Sequence, residues 1–340
     1  MNKKKILIFK NDRGGDLFTS LNLISNLIKN NNVKIYLSEL NIGFSFFFLN
    51  IQLVKIKFNL SFINKINIIY DLFKNNYEEI YILTPKNFYF FLPFFFRKTK
   101  FFAIVYNSQN KLRPINFLRN YLYKYKIVYR NKINKKSYRE LQIDLLGENI
   151  SYDDTYKNLN IPTITTDKLN LLPNNFILFQ FKYIFFERLG WGNDEIVKIL
   201  NSLLDKYEYV LFFSDIEVNK FTKKYTTFFQ NEFSYIDLNK KIKNTINDKK
   251  IIYLKKLGAL DLFHIIKLSK KNLGPHGIIS HISFFHDVSC HNLYNFKIKN
   301  INDYKHEKIS FSEWCKNMGS SFSFLNNDID KAIRKIMRNV

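Results

Sequence analysis

The segment Phe9-Lys10-Asn11-Asp12-Arg13-Gly14-Gly15-Asp16-Leu17-Phe18-Thr19 joins an apolar run to an amphipathic one. Two consecutive glycines permit a sharp turn and a close approach of ligand to backbone. Asp16 then opens a helix. A carboxylate there is either a partner of the helix dipole, contributing a few tenths to ~1 kcal/mol, or a general base directed at a bound substrate. Asp12 reads as a turn residue. The glycine spacing is neither GxGxxG nor GxxxxGK[ST], which excludes the dinucleotide fingerprint and the P-loop.

A second constellation is Leu273-Gly274-Pro275-His276-Gly277-Ile278-Ile279-Ser280-His281. Free backbone N–H groups at a helix start favour a diphosphate, and His281 is placed to donate to it. The competing reading is a Gly-Pro turn followed by ordinary helix histidines. His276, His281, His286 and His291 recur every five residues. On a helix that separates successive rings by about 140°, so they share no face, and no metal is expected. A third segment runs from Phe176 to Gln180 and on to Arg188-Leu189-Gly190-Trp191. Its basic residues are Arg188 and Lys182, either of which reads equally as a solvated loop charge.

The elements that must hold these residues alternate along the chain. Ile6–Phe9 is strand-like. Leu17, Leu21, Ile24, Leu27 and Ile28 then recur at helical spacing. Strands are expected at 33–37, 53–58, 80–83 and 101–105, with helices at 65–75 and 88–96. The stretch 151–175, with Pro162, Pro173 and three Thr between 163 and 166, reads as a linker. A second series follows. It has strands at 176–180, 209–213, 251–254 and 272–273, and helices at 193–206 (N-cap Asn193), 218–229, 259–268 and from 278, then 328–338. The β-α-β order implies parallel sheets with helices on both faces. In such sheets ligands bind at the carboxyl ends of the strands.

Composition narrows the class. The chain has 340 residues, a formal charge of +24, 46% hydrophobic residues and 17% aromatic residues. Length suggests about two domains, and the aromatic content excludes a disordered basic tail. Cys290 and Cys315 are the only cysteines, which excludes a disulfide scaffold. The apolar run after Lys3-Lys4-Lys5 stops at Lys10, too short for a signal peptide, so a cytoplasmic protein is expected. Phe88–Phe96 is nine residues long with an internal Pro93, too short to span a membrane. It reads as a buried or interfacial helix. Arg113 to Arg139 interleaves nine basic residues with five tyrosines. That suits single-stranded nucleic acid, an anionic membrane surface, or a solvated helix face. No recognisable nucleic-acid module accompanies it, and no nucleic-acid partner is expected.

Lys10, Gly15, Asp16 and the helix from Leu17 resemble the opening of glycosyltransferase family 9, the bacterial heptosyltransferases of lipopolysaccharide core assembly. Tyr77-Glu78 before the strand, helix and strand of 79–106 adds a weaker match. Where the family carries Asp-Ser/Thr-Gly-x-x-His in its donor loop, this chain has His276-Gly277-Ile278 before His281, a departure at the first three positions. The resemblance implies a GT-B type α/β fold of two Rossmann-like domains facing across a cleft. An acceptor domain is expected over 1–160, a nucleotide-sugar domain over 170–325, and a C-terminal helix over 326–340 able to return towards the first domain. It implies inverting transfer of a sugar, with heptose from ADP-heptose the expected donor chemistry, to a lipopolysaccharide-core-type or other anionic glycolipid acceptor. Asp16 would be the base. Gly274, His276, Gly277, Ser280, His281 and Arg188 would bind donor; the strand 176–180 followed by a basic residue before Trp191 resembles the opening of the family's second domain, so Arg188, with Lys182 its competitor, would neutralise the donor phosphate. Gly15, Arg97, Arg113 and Arg119 would bind acceptor. No metal or other cofactor is implied, and peripheral contact with the cytoplasmic face of the inner membrane is. The alternatives are a degenerate GT-B module that binds nucleotide sugar or glycan without catalysis and, behind it, a nucleic-acid binder.

Overall fold

A computed structural model of the chain describes residues 3–108, 111–113, 116–129, 136–146, 159–163, 166–214, 220–244, 250–255, 257–295 and 301–340. The chain divides into two compact units, one of Met1–Pro162 with Ile301–Ser310, the other of Thr163–Asn300 with Phe311–Val340.

The first unit is built on β1 (Lys5–Lys10), β2 (Asn32–Ser38), β3 (Gln52–Ile56), β4 (Glu79–Ile82), β5 (Lys100–Ser108), β6 (Lys111–Arg113) and β7 (Lys124–Tyr129). Their order is β3-β2-β1-β4-β5-β6, with β7 also on β5. Every pairing is parallel except β5 with β6. Ile6, Leu7, Ile8 and Phe9 are all buried. A strand covered on both faces reads as such a continuous apolar run. Leu7, Phe9, Ile80, Ile82, Tyr89, Ala103 and Val105 share one core with Ile68 and Leu72 of the helix Phe62–Asn75. Each buried Leu, Ile, Val or Phe side chain there contributes about 1.5–3 kcal/mol.

The second unit carries β8 (Phe176–Gln180), β9 (Tyr209–Phe213), β10 (Ser234–Asp237), β11 (Ile242–Asn244), β12 (Ile251–Lys255), β13 (Lys271–Pro275), β14 (Cys290–Tyr294) and β15 (Ser321–Phe324). The order is β11-β10-β12-β9-β8-β13-β14-β15, and only β11 is antiparallel. Both units are therefore doubly wound α/β sheets, as expected.

Local expectations needed correcting in three places. The amphipathic run from Leu17 is two helices, Gly14–Phe18 and Leu21–Asn30. The break is stabilised by Thr19 Oγ1, which donates to the Asp16 carbonyl at 2.6 Å. The helix at 193 is capped one residue earlier, where Glu195 Oε2 accepts from the Gly192 N–H at 2.7 Å. The linker expected over 151–175 lies partly outside the described residues and contains a short helix, Thr166–Leu169. The terminal helix Ile329–Asn339 belongs to the second unit, where Ala332 and Ile336 are part of the core. One division between the units falls within the helix Ile301–Asn317.

Candidate active site

In the first unit the chain leaves β1 for β2 and β3, then returns to β4 on the other side of β1. The carboxyl ends of β1 and β4 thus flank a topological switch point, the usual ligand position in an open α/β sheet. The loop there is pinned by an internal polar network. Lys10, the last residue of β1, is wholly buried, and its Nζ lies 2.7 Å from Asp12 Oδ2. Asn41 Nδ2 donates to the Lys10 carbonyl at 2.7 Å, and Ser38 Oγ donates to the Asp12 carbonyl. Tyr89 Oη donates to Asn11 Oδ1 at 2.7 Å. Asp12 is therefore a buried anion paired with a buried cation, rather than the turn residue its sequence suggested. Burial pushes its carboxyl upward, Lys10 opposes that, and the nearby Asp16 charge adds to it. Burial also raises the Tyr138 phenol well above its usual value, and the ring of Tyr138 lies 5.9 Å from Lys10 Nζ.

Asp16 stands exposed on the first turn of the helix Gly14–Phe18, with Gly15 beside it. No side chain caps this helix. Asp16 is thus an accessible carboxylate above a rigid, charged floor.

In the second unit the corresponding switch point lies between β8 and β13. Gly274 sits where an added Cβ would come within 2.8 Å of Gln180 Cβ, so close strand contact requires glycine there. A Cβ on Gly277 would collide with Lys182 Nζ. Lys182 Nζ also donates to the His276 carbonyl at 3.3 Å. The cation poised over the start of the helix Ile278–Phe285 is therefore Lys182. Arg188 is exposed at the far end of the helix Tyr183–Glu187. The ring of His276 packs edge-on against Trp314 with centroids 3.9 Å apart. Burial and then Lys182 push it down to about 4, so it is neutral near pH 7. His276 Nδ1 and Gln180 Oε1 are buried without hydrogen-bond partners among the described residues. Unsatisfied buried polar atoms at a switch point are open to a ligand. His281 is buried with its ring 5.5 Å from Trp314, and Ser280 donates to Asn292 Oδ1. Ser280 thus braces β14 beneath the loop. Trp314 was not legible as a site residue, since nothing near it in the chain marks it.

The acceptor arginines do not converge. Arg97 precedes β5 and Arg119 precedes β7, at the amino edge of the parallel sheet. Asp16 follows the carboxyl end of β1, and Phe9 pairs through Ile82 with Ala103. At ~3.3 Å per residue the two edges are roughly 20 Å apart. Arg113 closes β6 opposite Tyr106, nearer the carboxyl edge, and its side chain is outside the described residues.

Each unit is a doubly wound domain with its loops gathered at the switch point, and the pair defines the GT-B type α/β class. The structure of a family 9 glycosyl transferase from Veillonella parvula superposes with a TM-score of 0.61, covering 99% of this chain and 90% of that one at 12% identity. ADP-heptose lipopolysaccharide heptosyltransferase II from E. coli gives 0.59, 98% of each chain and 10% identity. A UDP-GlcNAc 2-epimerase from Methanocaldococcus jannaschii gives 0.53, with 99% and 92% covered at 14% identity. No family model matches the sequence, and no curated protein matches it. The likeness to family 9 glycosyltransferases is thus carried by fold. An epimerase shares that fold, so the reaction must be argued from the site.

Proposed function

We propose that the chain is an inverting glycosyltransferase that moves a sugar from a nucleotide-sugar donor to an anionic glycolipid acceptor at the cytoplasmic face of a membrane. The observation that carries this reading is the presence of one ligand-ready switch point in each unit, each with chemistry of its own. Lys182, beside the start of the helix Ile278–Phe285, supplies positive charge, and that helix start adds its dipole, where a diphosphate leaving group develops negative charge. Asp16 supplies an exposed carboxylate to take the proton of the attacking acceptor hydroxyl. The proton passes to Asp16, the hydroxyl oxygen bonds to the anomeric carbon, and the nucleoside diphosphate departs with the bonding electrons. Heptose from ADP-heptose, and a lipopolysaccharide-core acceptor, are the donor and acceptor within this class that the resemblance of Lys10, Gly15 and Asp16 favours. No metal or other cofactor enters the reaction as proposed.

Asp16→Asn tests the base. Turnover of the donor identified by a thermal-shift screen of ADP- and UDP-sugars should fall by about 10²–10⁴-fold, with donor affinity within twofold of the parent. Unchanged turnover overturns the assignment. A second reading rests on His276, which fills the family's acidic position with a ring buried against Trp314. If nucleotide sugars bind and no acceptor supports transfer, the chain is a binding module.

A further inference from the structure

The helix Phe62–Asn75 faces the core with Ile68 and Leu72. Its opposite face is also apolar. Phe62, Ile66, Ile69, Tyr70 and Phe73 recur at helical spacing and stand in solvent, Phe62 at 76% and Phe73 at 68% exposure. Single exposed hydrophobics are ordinary, whereas a contiguous stripe marks an interaction surface. This stripe does not end with its helix. Phe73 packs on Phe96 at 4.8 Å between ring centroids. The neighbouring helix Asn87–Phe95 buries Tyr89, Phe90, Leu92 and Pro93 and exposes Phe91, Phe94 and Phe95. Phe94 in turn meets Tyr121 at 5.3 Å.

Charge identifies the occupant. Segments 62–75 and 86–100 contain Lys65, Lys74, Lys86, Arg97, Lys98 and Lys100, and a single acid, Asp71. Asp71 is buried and paired with Lys34 at 2.6 Å, so it offers nothing to the surface. Arg97 lies over the rings of Phe94 and Tyr121, and Lys100 lies 4.9 Å from the ring of Tyr123. Phenylalanines flanked by tyrosines and cations are the composition of a helix lying in a membrane interface. A second copy of the chain on this surface would set cations against cations. Among the described residues no helix is long and apolar enough to cross a membrane, so the fitting geometry is lateral.

We propose that this face, with the helix Phe62–Asn75 lying in the plane, inserts shallowly into an anionic phospholipid bilayer. The exposed phenylalanines enter the acyl boundary, and Lys74, Arg97, Lys98 and Lys100 meet lipid phosphates. The surface is built from residues outside both switch-point loops, and it binds lipid whether or not sugar transfer occurs.

The test is sedimentation of the full chain with vesicles of phosphatidylcholine and phosphatidylglycerol at 7:3, and with phosphatidylcholine alone. The chain should partition onto the anionic vesicles at least tenfold more strongly. Combined Phe62→Ser, Tyr70→Ser and Phe95→Ser should cut that partition at least tenfold while circular dichroism and the unfolding midpoint stay at parent values. Should the triple variant lose its fold, Phe73→Trp gives the second measurement. Its emission should shift to the blue with anionic vesicles, and an unshifted spectrum overturns the proposal. Failure of the parent chain to sediment, or equal binding by a folded triple variant, overturns it too. A parent dimer that the triple variant converts to monomer, without vesicle binding, assigns the face to self-association instead. Nucleotide-sugar binding, measured separately, is unaffected by any of these outcomes.

Discussion

Replacing Lys10 with Met tests the account of the first switch point. Lys10 is wholly buried, and Asp12 is its ion-pair partner at 2.7 Å. At that separation the attraction is about 6 kcal/mol for an effective dielectric constant of about 20, most of it offset by the desolvation of both groups. Removing one partner discards the attraction but keeps the desolvation of the other. The expected loss for Lys10→Met is therefore about 3–5 kcal/mol. Combined Lys10→Met and Asp12→Asn leaves no uncompensated charge, so the double variant should recover about half of that loss or more.

The pH dependence follows from the direction of the Asp12 shift. Its folded carboxyl is already raised by burial, and Lys10 is the main influence holding it down. In the Met variant it rises further. A group raised on folding supports the fold below its unfolded value and loses that support as pH climbs through its folded value. The deficit of Lys10→Met should thus be largest near pH 8 and shrink towards pH 5, by up to about 1.4 kcal/mol per pH unit. Both tryptophans, Trp191 and Trp314, belong to the second unit. Urea unfolding followed by fluorescence then reports that unit, while far-ultraviolet circular dichroism reports both. The variant should move the dichroism transition and spare the fluorescence one. A deficit below about 1 kcal/mol, or one that is flat between pH 5 and 8, refutes the buried-pair argument.

Two further outcomes are expected. Lys182→Gln should weaken ADP or UDP binding at least tenfold and flatten its salt dependence in calorimetry, while Arg188→Gln leaves both within twofold; the reverse result would return the phosphate to Arg188. His291, held by Ser321 and Ser323 at 2.7 and 2.9 Å, is pushed down to about 4, chiefly by burial. The stability it supports is complete above about 6.5 and is lost as pH falls towards 4, so His291→Gln should shallow the acid limb of a pH–midpoint profile, and a parallel profile would show that the ring does not titrate with unfolding.

What could be read from the chain depended on where each residue finds its partner. Strands β1, β4, β8, β9 and β12 are apolar on both faces, and their sequences announce it. β14 and β15, CHNLY and SFSF, announce nothing. Their polar side chains are buried because they satisfy one another: His291 with Ser321 and Ser323, and Asn292 with Ser280 and Ser320. The same holds at the first site. The helix start that carries Asp16 was legible, because a glycine pair before an amphipathic run is a local feature. The Lys10–Asp12 pair was not, because the Ser38 and Asn41 groups that make it tolerable arrive from the end of β2 and the turn after it.

Periodicity has a related limit, and the helix Phe62–Asn75 shows it. Spacing identifies which residues share a face, and both Ile68 with Leu72 and Phe62 with Ile66, Tyr70 and Phe73 satisfy it. Only the sheet decides between the two faces, by covering one of them. The uncovered face keeps its aromatic residues in water at a cost that nothing inside the first unit offsets. Because segments 62–75 and 86–100 hold six lysines and arginines and one acid that is already paired, the offset proposed above is a surface both apolar and anionic. An anionic bilayer has both properties. On that proposal the +24 charge of the chain has one local use, which the sequence alone had divided among nucleic acid, glycan and membrane.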